Sequence, residues 1–92
     1  MSDTTNGTRP PQNDAQPGRA ELETARNLLA HYGHRDGWQG GSFTTALITA
    51  LEKADTMNRS KLLSAFPEYR APVSVLMTRG VDALAEWVKM NT

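Results

Sequence analysis

The two histidines and the acid beside them are the residues whose type and spacing could do chemistry. His31 and His34 flank a predicted helix end, and Asp36 follows shortly after them. Two imidazoles and one carboxylate are the ligands of many transition-metal sites. These residues span a turn at Gly33, however, so they are poorly preorganised, and a histidine near a helix C-terminus is stabilised by the helix dipole without any metal. We therefore expect His31 to stabilise a helix end, His34 to be solvated, and neither to hold a metal ion.

Two further patterns could serve an enzyme, and both are incomplete. The residues Gly40-Gly41-Ser42 precede a predicted helix, whose free N–H groups could hold a phosphate. Phe43, however, stands where a phosphate-binding loop has its lysine. No Gly-x-Ser-x-Gly sequence is present, so the chain lacks the turn that exposes a serine nucleophile in many hydrolases. The sequence therefore predicts a protein that is not an enzyme and that uses no cofactor.

Composition and length restrict the fold and the class of function. The chain has 92 residues, of which 38% are hydrophobic, and it has no cysteine. This length supports one small domain, and the missing cysteines exclude a disulfide scaffold or a cysteine-ligated metal. Ten basic and ten acidic residues cancel, which argues against a protein that mainly coats nucleic acid or an anionic membrane. No apolar run exceeds three residues, so we expect no segment that spans a bilayer.

The first 18 residues differ from the rest of the chain. Among them only Met1 and Ala15 are apolar, and Pro10, Pro11 and Pro17 oppose helix formation. Such a segment buries too little apolar surface to offset its ordering entropy. We therefore predict a disordered tail over residues 1–18 and a single helical domain over residues 19–92. Because the tail also lacks the apolar stretch of a signal peptide, the expected location is the cytoplasm.

Beyond residue 18 the apolar residues have helical spacing, and no stretch alternates with the period of two that marks a strand. In the first helical stretch the apolar residues recur at steps of three and four, which predicts one stripe that faces a core: Leu22, Ala25, Leu28, Leu29 and Tyr32. The predicted helices cover residues 19–32, 42–54, 57–66 and 72–79, and a fifth is capped by Asp82. Gly33 and Gly80 follow two of them and suit helix ends. The predicted fold is therefore all-α, a compact bundle of four to five short helices.

The second and third predicted helices have apolar faces that define where neighbours would pack. In the second helix the inward stripe consists of Phe43, Leu47 and Leu51 with alanines between them, and Ile48 lies to one side of it. Ser42 is a good N-cap for that helix, and Asp55 or Thr56 can cap the next one. The inward residues of the third helix would be Leu62, Leu63 and Phe66.

Large apolar residues outside these stripes are candidates for a protein-binding surface. Tryptophan and other large side chains are frequent at the energetic centres of interfaces. We predict that such a surface is formed by Trp87, Met90, Ile48 and Tyr69. Trp38 lies in the glycine-rich loop, and we expect it to fold back over the bundle and fix that loop.

The polar face of the third helix offers an alternative, which is DNA binding by a small transcriptional regulator. The segment Asn58–Ser64 would then act as the recognition helix of a helix-turn-helix. The residues that would face DNA are Asn58, Arg59, Lys61 and Arg70. The connection before this helix lacks the usual turn glycine, and residues 19–92 carry nine basic and eight acidic side chains. Because DNA-binding modules are commonly far more basic, we favour a solvated outer face.

One pattern of residues resembles a known group of proteins. It consists of Tyr32-Gly33, Gly37-Trp38, Gly41-Ser42-Phe43, Ala46-Leu47-Ile48, Ala54-Asp55, Asn58 and Phe66-Pro67. This pattern is similar to the frame found in small uncharacterised proteins of actinobacteria and their phages, and the resemblance covers about residues 25–88. It implies a phage or prophage gene and a bacterial cytoplasm, and it brings no known activity. We therefore expect a non-enzymatic interaction or accessory protein that binds a host or phage protein, with a homodimer as a further partner to test.

Overall fold

Five α-helices and one 3-10 turn follow one another in the computed structural model, which describes residues 17–92. The elements are α1 (Arg19–His31), α2 (Ser42–Lys53), α3 (Thr56–Ala65), the 3-10 turn (Pro67–Tyr69), α4 (Arg70–Arg79) and α5 (Val81–Met90). No β-strand occurs in this range, so the predicted all-α fold is confirmed. Of the predicted tail, only Pro17 and Gly18 belong to the described residues, and the rest lies outside them.

The ends of α1 and α3 follow from side-chain and glycine signals in the sequence. The backbone N–H of Gly18 donates to the Glu21 carboxylate at 2.8 Å, which satisfies a free donor before α1. Gly33 ends the same helix with φ of 76°, a left-handed conformation that glycine adopts without steric cost. Asp55 caps α3, because its side chain accepts a hydrogen bond from the Asn58 N–H at 2.8 Å.

Three other helix ends differ from the sequence prediction. Gly41, not Ser42, is the N-cap of α2, and Ser42 is the first helical residue. α4 begins at Arg70, two residues before the predicted start, because the chain continues directly from the 3-10 turn into α4; Pro72 still lies in its first turn. Gly80, with φ of 94°, precedes α5 in place of Asp82. Asp82 instead lies in the first turn of α5, where its charge complements the helix dipole.

The core lies between α1, α4 and α5, which pack against one another and against the 3-10 turn. Leu29 and Leu84 have no exposed surface, and Leu28 is almost as deeply buried. α2 packs mainly against α1, whereas α3 packs mainly against the 3-10 turn. None of the residues of α3 itself is buried, and its inward residues Leu62 and Leu63 are only partly covered. The arrangement leaves α2 and α3 at the margin of the bundle.

The inward face predicted for α2 is wrong by part of a turn. Leu47 and Leu51 are buried as expected. Phe43, by contrast, is 65% exposed, while Ile48 is only 2% exposed and belongs to the core. The apolar residues of α2 cover a wider arc than a single neighbour can bury, and α1 lies on the Ile48 side of that arc. Phe43 therefore keeps one aromatic contact, with Phe66 at a ring-centroid distance of 5.9 Å.

Within residues 17–92, each helix is too short or too polar to cross a lipid bilayer.

Candidate functional site

The two histidines face different carboxylates and do not converge. His31 Nε2 lies 3.3 Å from the Glu52 carboxylate, which links the end of α1 to α2. His34 Nε2 lies 3.7 Å from a carboxylate oxygen of Asp82 at the start of α5. The other ring nitrogen of His34 accepts the backbone N–H of Asp36 at 3.0 Å. His34 is therefore a link between the loop and α5, and the expectation that it is simply solvated is wrong. Among residues 17–92, no three His, Cys, Asp or Glu side chains group as metal ligands would.

Glu52 also interacts with the tyrosine at the end of α1. Burial raises the pKa of Tyr32 to about 12, and the facing Glu52 carboxylate adds to this effect. In the opposite direction, the hydrogen bond donated by Tyr32 is the main cause that lowers the pKa of Glu52, and His31 contributes further. Both groups are thus held in the protonation state that they have at neutral pH. The cluster joins α1 to α2, which is a structural role.

The residues predicted as a protein-binding surface do not stay together. Ile48 is 2% and Tyr69 5% exposed, so both belong to the core and neither can contact a partner in this fold. Tyr69 is buried because the 3-10 turn packs on α1 and carries the ring inward. Trp87 is partly covered by the core, and Met90, one turn further along α5, is 78% exposed. Only the pair Trp87 and Met90 remains as an accessible part of the predicted surface.

The residues predicted to face DNA do not share one surface. Arg59 and Arg70 line one shallow groove together with Thr56, Ser60, Leu63 and Ser64. At 100° per residue, Lys61 is rotated about 160° from Arg59 around the helix, and it does not line that groove. Both arginines also bind the backbone: Arg59 donates to the Ala54 carbonyl at 3.0 Å and Arg70 to the Leu63 carbonyl at 3.1 Å. Asn58, one residue before Arg59, is exposed outside the groove as well.

The loop between α1 and α2 holds Trp38 at a fixed place on α1. The Trp38 backbone N–H donates to the Arg26 carbonyl at 2.9 Å, and the Asn27 side chain donates to the Trp38 carbonyl at 2.8 Å. Gly37 allows this approach, because a Cβ atom there would overlap the backbone of Ala30 and lie 2.7 Å from the carbonyl carbon of Leu29. The backbone of the loop is therefore docked as expected for a fixed loop.

The indole ring of Trp38, unlike its backbone, is not folded away. Trp38 is 51% exposed, so the expectation that its side chain covers the bundle is only partly met. The guanidinium of Arg26 lies 4.3 Å from the centre of the ring, within the range of a cation–π interaction. An aromatic ring is thus presented to solvent on a rigid backbone with a cation stacked on it.

A cleft of about 400 Å³ opens beside this ring, between α1, the loop and the end of α5. Three cations line it, Arg26, Arg35 and Lys89, together with the single acid Asp36. Its floor is apolar and consists of Leu29, Ala85 and Val88. In the part of the chain that the structure describes, none of the three cations forms an ion pair. We call this surface, formed by Arg26, Arg35, Asp36, Trp38 and Lys89 around that floor, the Trp38 cleft.

A second depression, of about 330 Å³, lies between α1, α2 and α4. It is lined mostly by apolar side chains, among them Leu51, Val73 and the exposed Met77. Its two charged residues, Glu52 and Arg59, already hydrogen-bond within the chain. This depression therefore offers apolar contact and little that would select one partner. The Trp38 cleft combines an aromatic ring with three cations that form no ion pair within residues 17–92.

In comparisons with known proteins, no family model, no curated sequence and no solved structure matches the chain. The chemistry of the surface is therefore the basis for a function. The features that decide it are the side chains that are both fixed in position and accessible.

Sequence reasoning singled out Trp38 but missed the cleft around it. Arg26 comes from α1, Arg35 from the loop and Lys89 from α5, and no spacing in the sequence predicts that they meet. The one available signal was Gly37 directly before Trp38, since a glycine allows close backbone approach. That signal locates the ring but says nothing about which charges surround it.

Proposed function

We propose that this chain is a non-catalytic interaction protein that binds another protein through the Trp38 cleft. The observation that carries the proposal is that Trp38 is fixed by two backbone hydrogen bonds while half of its surface stays open to solvent. A loop whose backbone is already fixed in position loses little further entropy on binding. Tryptophan and arginine are also the residues most enriched among those that dominate binding energy.

The placement of the titratable groups supports a non-catalytic role. His31 and His34 each face a carboxylate in a separate part of the fold, and neither lines the Trp38 cleft. Within the cleft the charged groups are two arginines, one lysine and one aspartate. Arginine stays protonated at any ordinary pH and does not serve as a base. These residues suit recognition of a charged partner better than proton transfer.

The origin and partner belong to the same proposal. The resemblance of the Gly-Trp-x-x-Gly-Ser-Phe frame to proteins of actinobacteria and their phages favours a phage-related gene that acts in the bacterial cytoplasm on a host or phage protein. We place DNA binding second, because Asn58 and Lys61 lie outside the groove of Arg59 and Arg70. Those two arginines also donate to backbone carbonyls, which leaves fewer of their N–H groups for phosphates.

Affinity capture with matched variants tests this proposal. The full chain, Trp38→Ala and Phe43→Ala are immobilised in equal amounts and exposed to actinobacterial lysate, and the captured proteins are quantified by mass spectrometry. Phe43 is the matched control, since it is an exposed aromatic on a different helix. For a protein that the full chain enriches, we expect Trp38→Ala to reduce recovery by about thirtyfold, the effect of losing about 2 kcal/mol of binding energy.

Circular dichroism on both variants first establishes that the helical content is unchanged. If Phe43→Ala abolishes capture and Trp38→Ala does not, the interaction surface lies on α2 and the proposal is wrong. Equal recovery by the full chain and both variants would also contradict the proposal, because binding would then not depend on the cleft.

A further inference from the structure

The charge of the Trp38 cleft differs from that of the chain that carries it. The whole chain has a formal net charge of zero. The cleft nevertheless gathers Arg26, Arg35 and Lys89 around the single acid Asp36. Charges within one cleft act together, because the Debye length at physiological salt is about 8 Å. Within residues 17–92 these three cations form no ion pair, so their charge stays available to a partner.

On this basis we infer that the Trp38 cleft receives an acidic segment of a partner protein, whose carboxylates pair with Arg26, Arg35 and Lys89. This inference rests on the proposed function and specifies the chemistry of the partner. Arginine binds a carboxylate through two parallel N–H···O bonds, a geometry that lysine cannot offer. The Arg26 guanidinium is already held against the Trp38 ring, with 4.3 Å between guanidinium carbon and ring centre. It is therefore partly oriented before a carboxylate arrives.

The floor of the cleft indicates what else the segment carries. Leu29, Ala85 and Val88 form an apolar surface beneath the charges, and the half-exposed indole adds to it. A segment with only acidic residues would leave this apolar surface unpaired. The cleft therefore suits a segment in which at least one apolar side chain lies between or beside the acids.

A protein segment fits the cleft better than a single strand of nucleic acid does. Single-stranded nucleic acid is bound along an extended cationic track with successive bases stacked on aromatic rings. Here the cations are confined to one cleft of about 400 Å³, which does not form such a track. The Arg26 guanidinium also occupies part of the Trp38 ring that a base would need.

The test uses a displayed library of random peptides of about twelve residues. The library is selected on the full chain and, in parallel, on Trp38→Ala, and the two sets of enriched sequences are compared. We expect the peptides that require Trp38 to carry an excess of Asp and Glu together with an apolar residue. For a synthetic copy of the most enriched peptide, replacing its acids by Asn and Gln is expected to weaken binding by at least about tenfold.

Two charge variants of the protein test the role of the cations, one inside the cleft and one outside it as the control. Arg35→Gln removes a cation of the cleft, whereas Arg79→Gln removes an exposed cation at the end of α4, outside it. We expect the first to weaken the peptide by about five- to tenfold and the second to leave its affinity unchanged. Equal effects of the two variants would overturn the inference, since the attraction would then be a property of the whole chain.

The remaining outcomes separate the two proposals. Peptides that require Trp38 but are neutral or basic would overturn the acidic partner and leave the interaction function standing. A selection that yields no peptide dependent on Trp38 would count against both. If single-stranded oligothymidylate displaces the acidic peptide and binds more tightly than it, the cleft is a nucleic-acid site and the inference is wrong.

Discussion

Replacing Gly37 with serine is the sharpest test of how the Trp38 loop is held. A Cβ atom at this position would overlap the backbone of Ala30, and backbone atoms cannot move aside as the end of a flexible side chain can. The loop must therefore lift away from α1 to make room. We expect this displacement to break the two hydrogen bonds that fix Trp38. In one, the Trp38 N–H donates to the Arg26 carbonyl; in the other, the Asn27 side chain donates to the Trp38 carbonyl.

The size of the effect follows from the contacts that are lost. Each of the two hydrogen bonds contributes about 1 kcal/mol, and the exposed Arg26–Trp38 interaction contributes about 0.5–1 kcal/mol. The expected loss in the free energy of unfolding is therefore about 3 kcal/mol. For a domain of this size, each kcal/mol lowers the melting temperature by about 4–8 °C, so the variant is expected to melt about 12–24 °C lower.

Thermal unfolding followed by far-ultraviolet circular dichroism measures this difference. The matched control is Gly41→Ser, since a Cβ at Gly41 meets nothing within 4 Å and serine is favoured at the N-cap position that Gly41 occupies. We expect that control to melt at the wild-type temperature or slightly above it. If Gly37→Ser melts within about 2 °C of the control, the loop is not held in the way described, and the rigid presentation of Trp38 is refuted.

Three further substitutions test other parts of the fold. Leu84→Ala removes a side chain with no exposed surface and is expected to cost about 2–5 kcal/mol in urea denaturation, whereas Met77→Ala, at an exposed position, costs under about 0.5. Asp55→Ala deletes the α3 cap and is expected to cost about 1 kcal/mol, while Asp55→Asn is nearly neutral; equal losses would contradict capping. The pKa of Glu52 is lowered in the fold by Tyr32, so its charge stabilises the fold above the unfolded pKa and this contribution disappears as the pH falls through the folded pKa. The stability difference between wild type and Glu52→Gln should therefore be larger near pH 7 than near pH 3, and a constant difference would exclude this linkage.

The helices could be predicted from the sequence because their signals are local. The Gly33 turn, the Asp55 cap and the apolar stripe of α1 each depend on residues within a few positions of one another. Such signals say where a helix begins and ends, and which residues share a face. They do not say which neighbour will cover that face.

Errors arose where a distant element decided burial. The α2 stripe was assigned correctly as apolar, yet α1 covers its Ile48 side and leaves Phe43 exposed. Tyr69 lies outside the apolar stripes, which predicts a surface residue, but the 3-10 turn packs on α1 and Tyr69 is buried. The Trp38 cleft was missed for the same reason, since Lys89 reaches Trp38 only through the packing of α5 on α1.

The weak attachment of α3 has a consequence for how the domain comes apart. This helix packs mainly against the 3-10 turn and buries none of its own residues. Its amide hydrogens can therefore exchange with solvent through a local opening in which α1, α4 and α5 stay assembled. In a hydrogen-exchange experiment, the amides of α3 would then exchange faster than those of the other helices. Stability measured by a probe on α3 and stability measured at Leu84 would be two different quantities in this small domain.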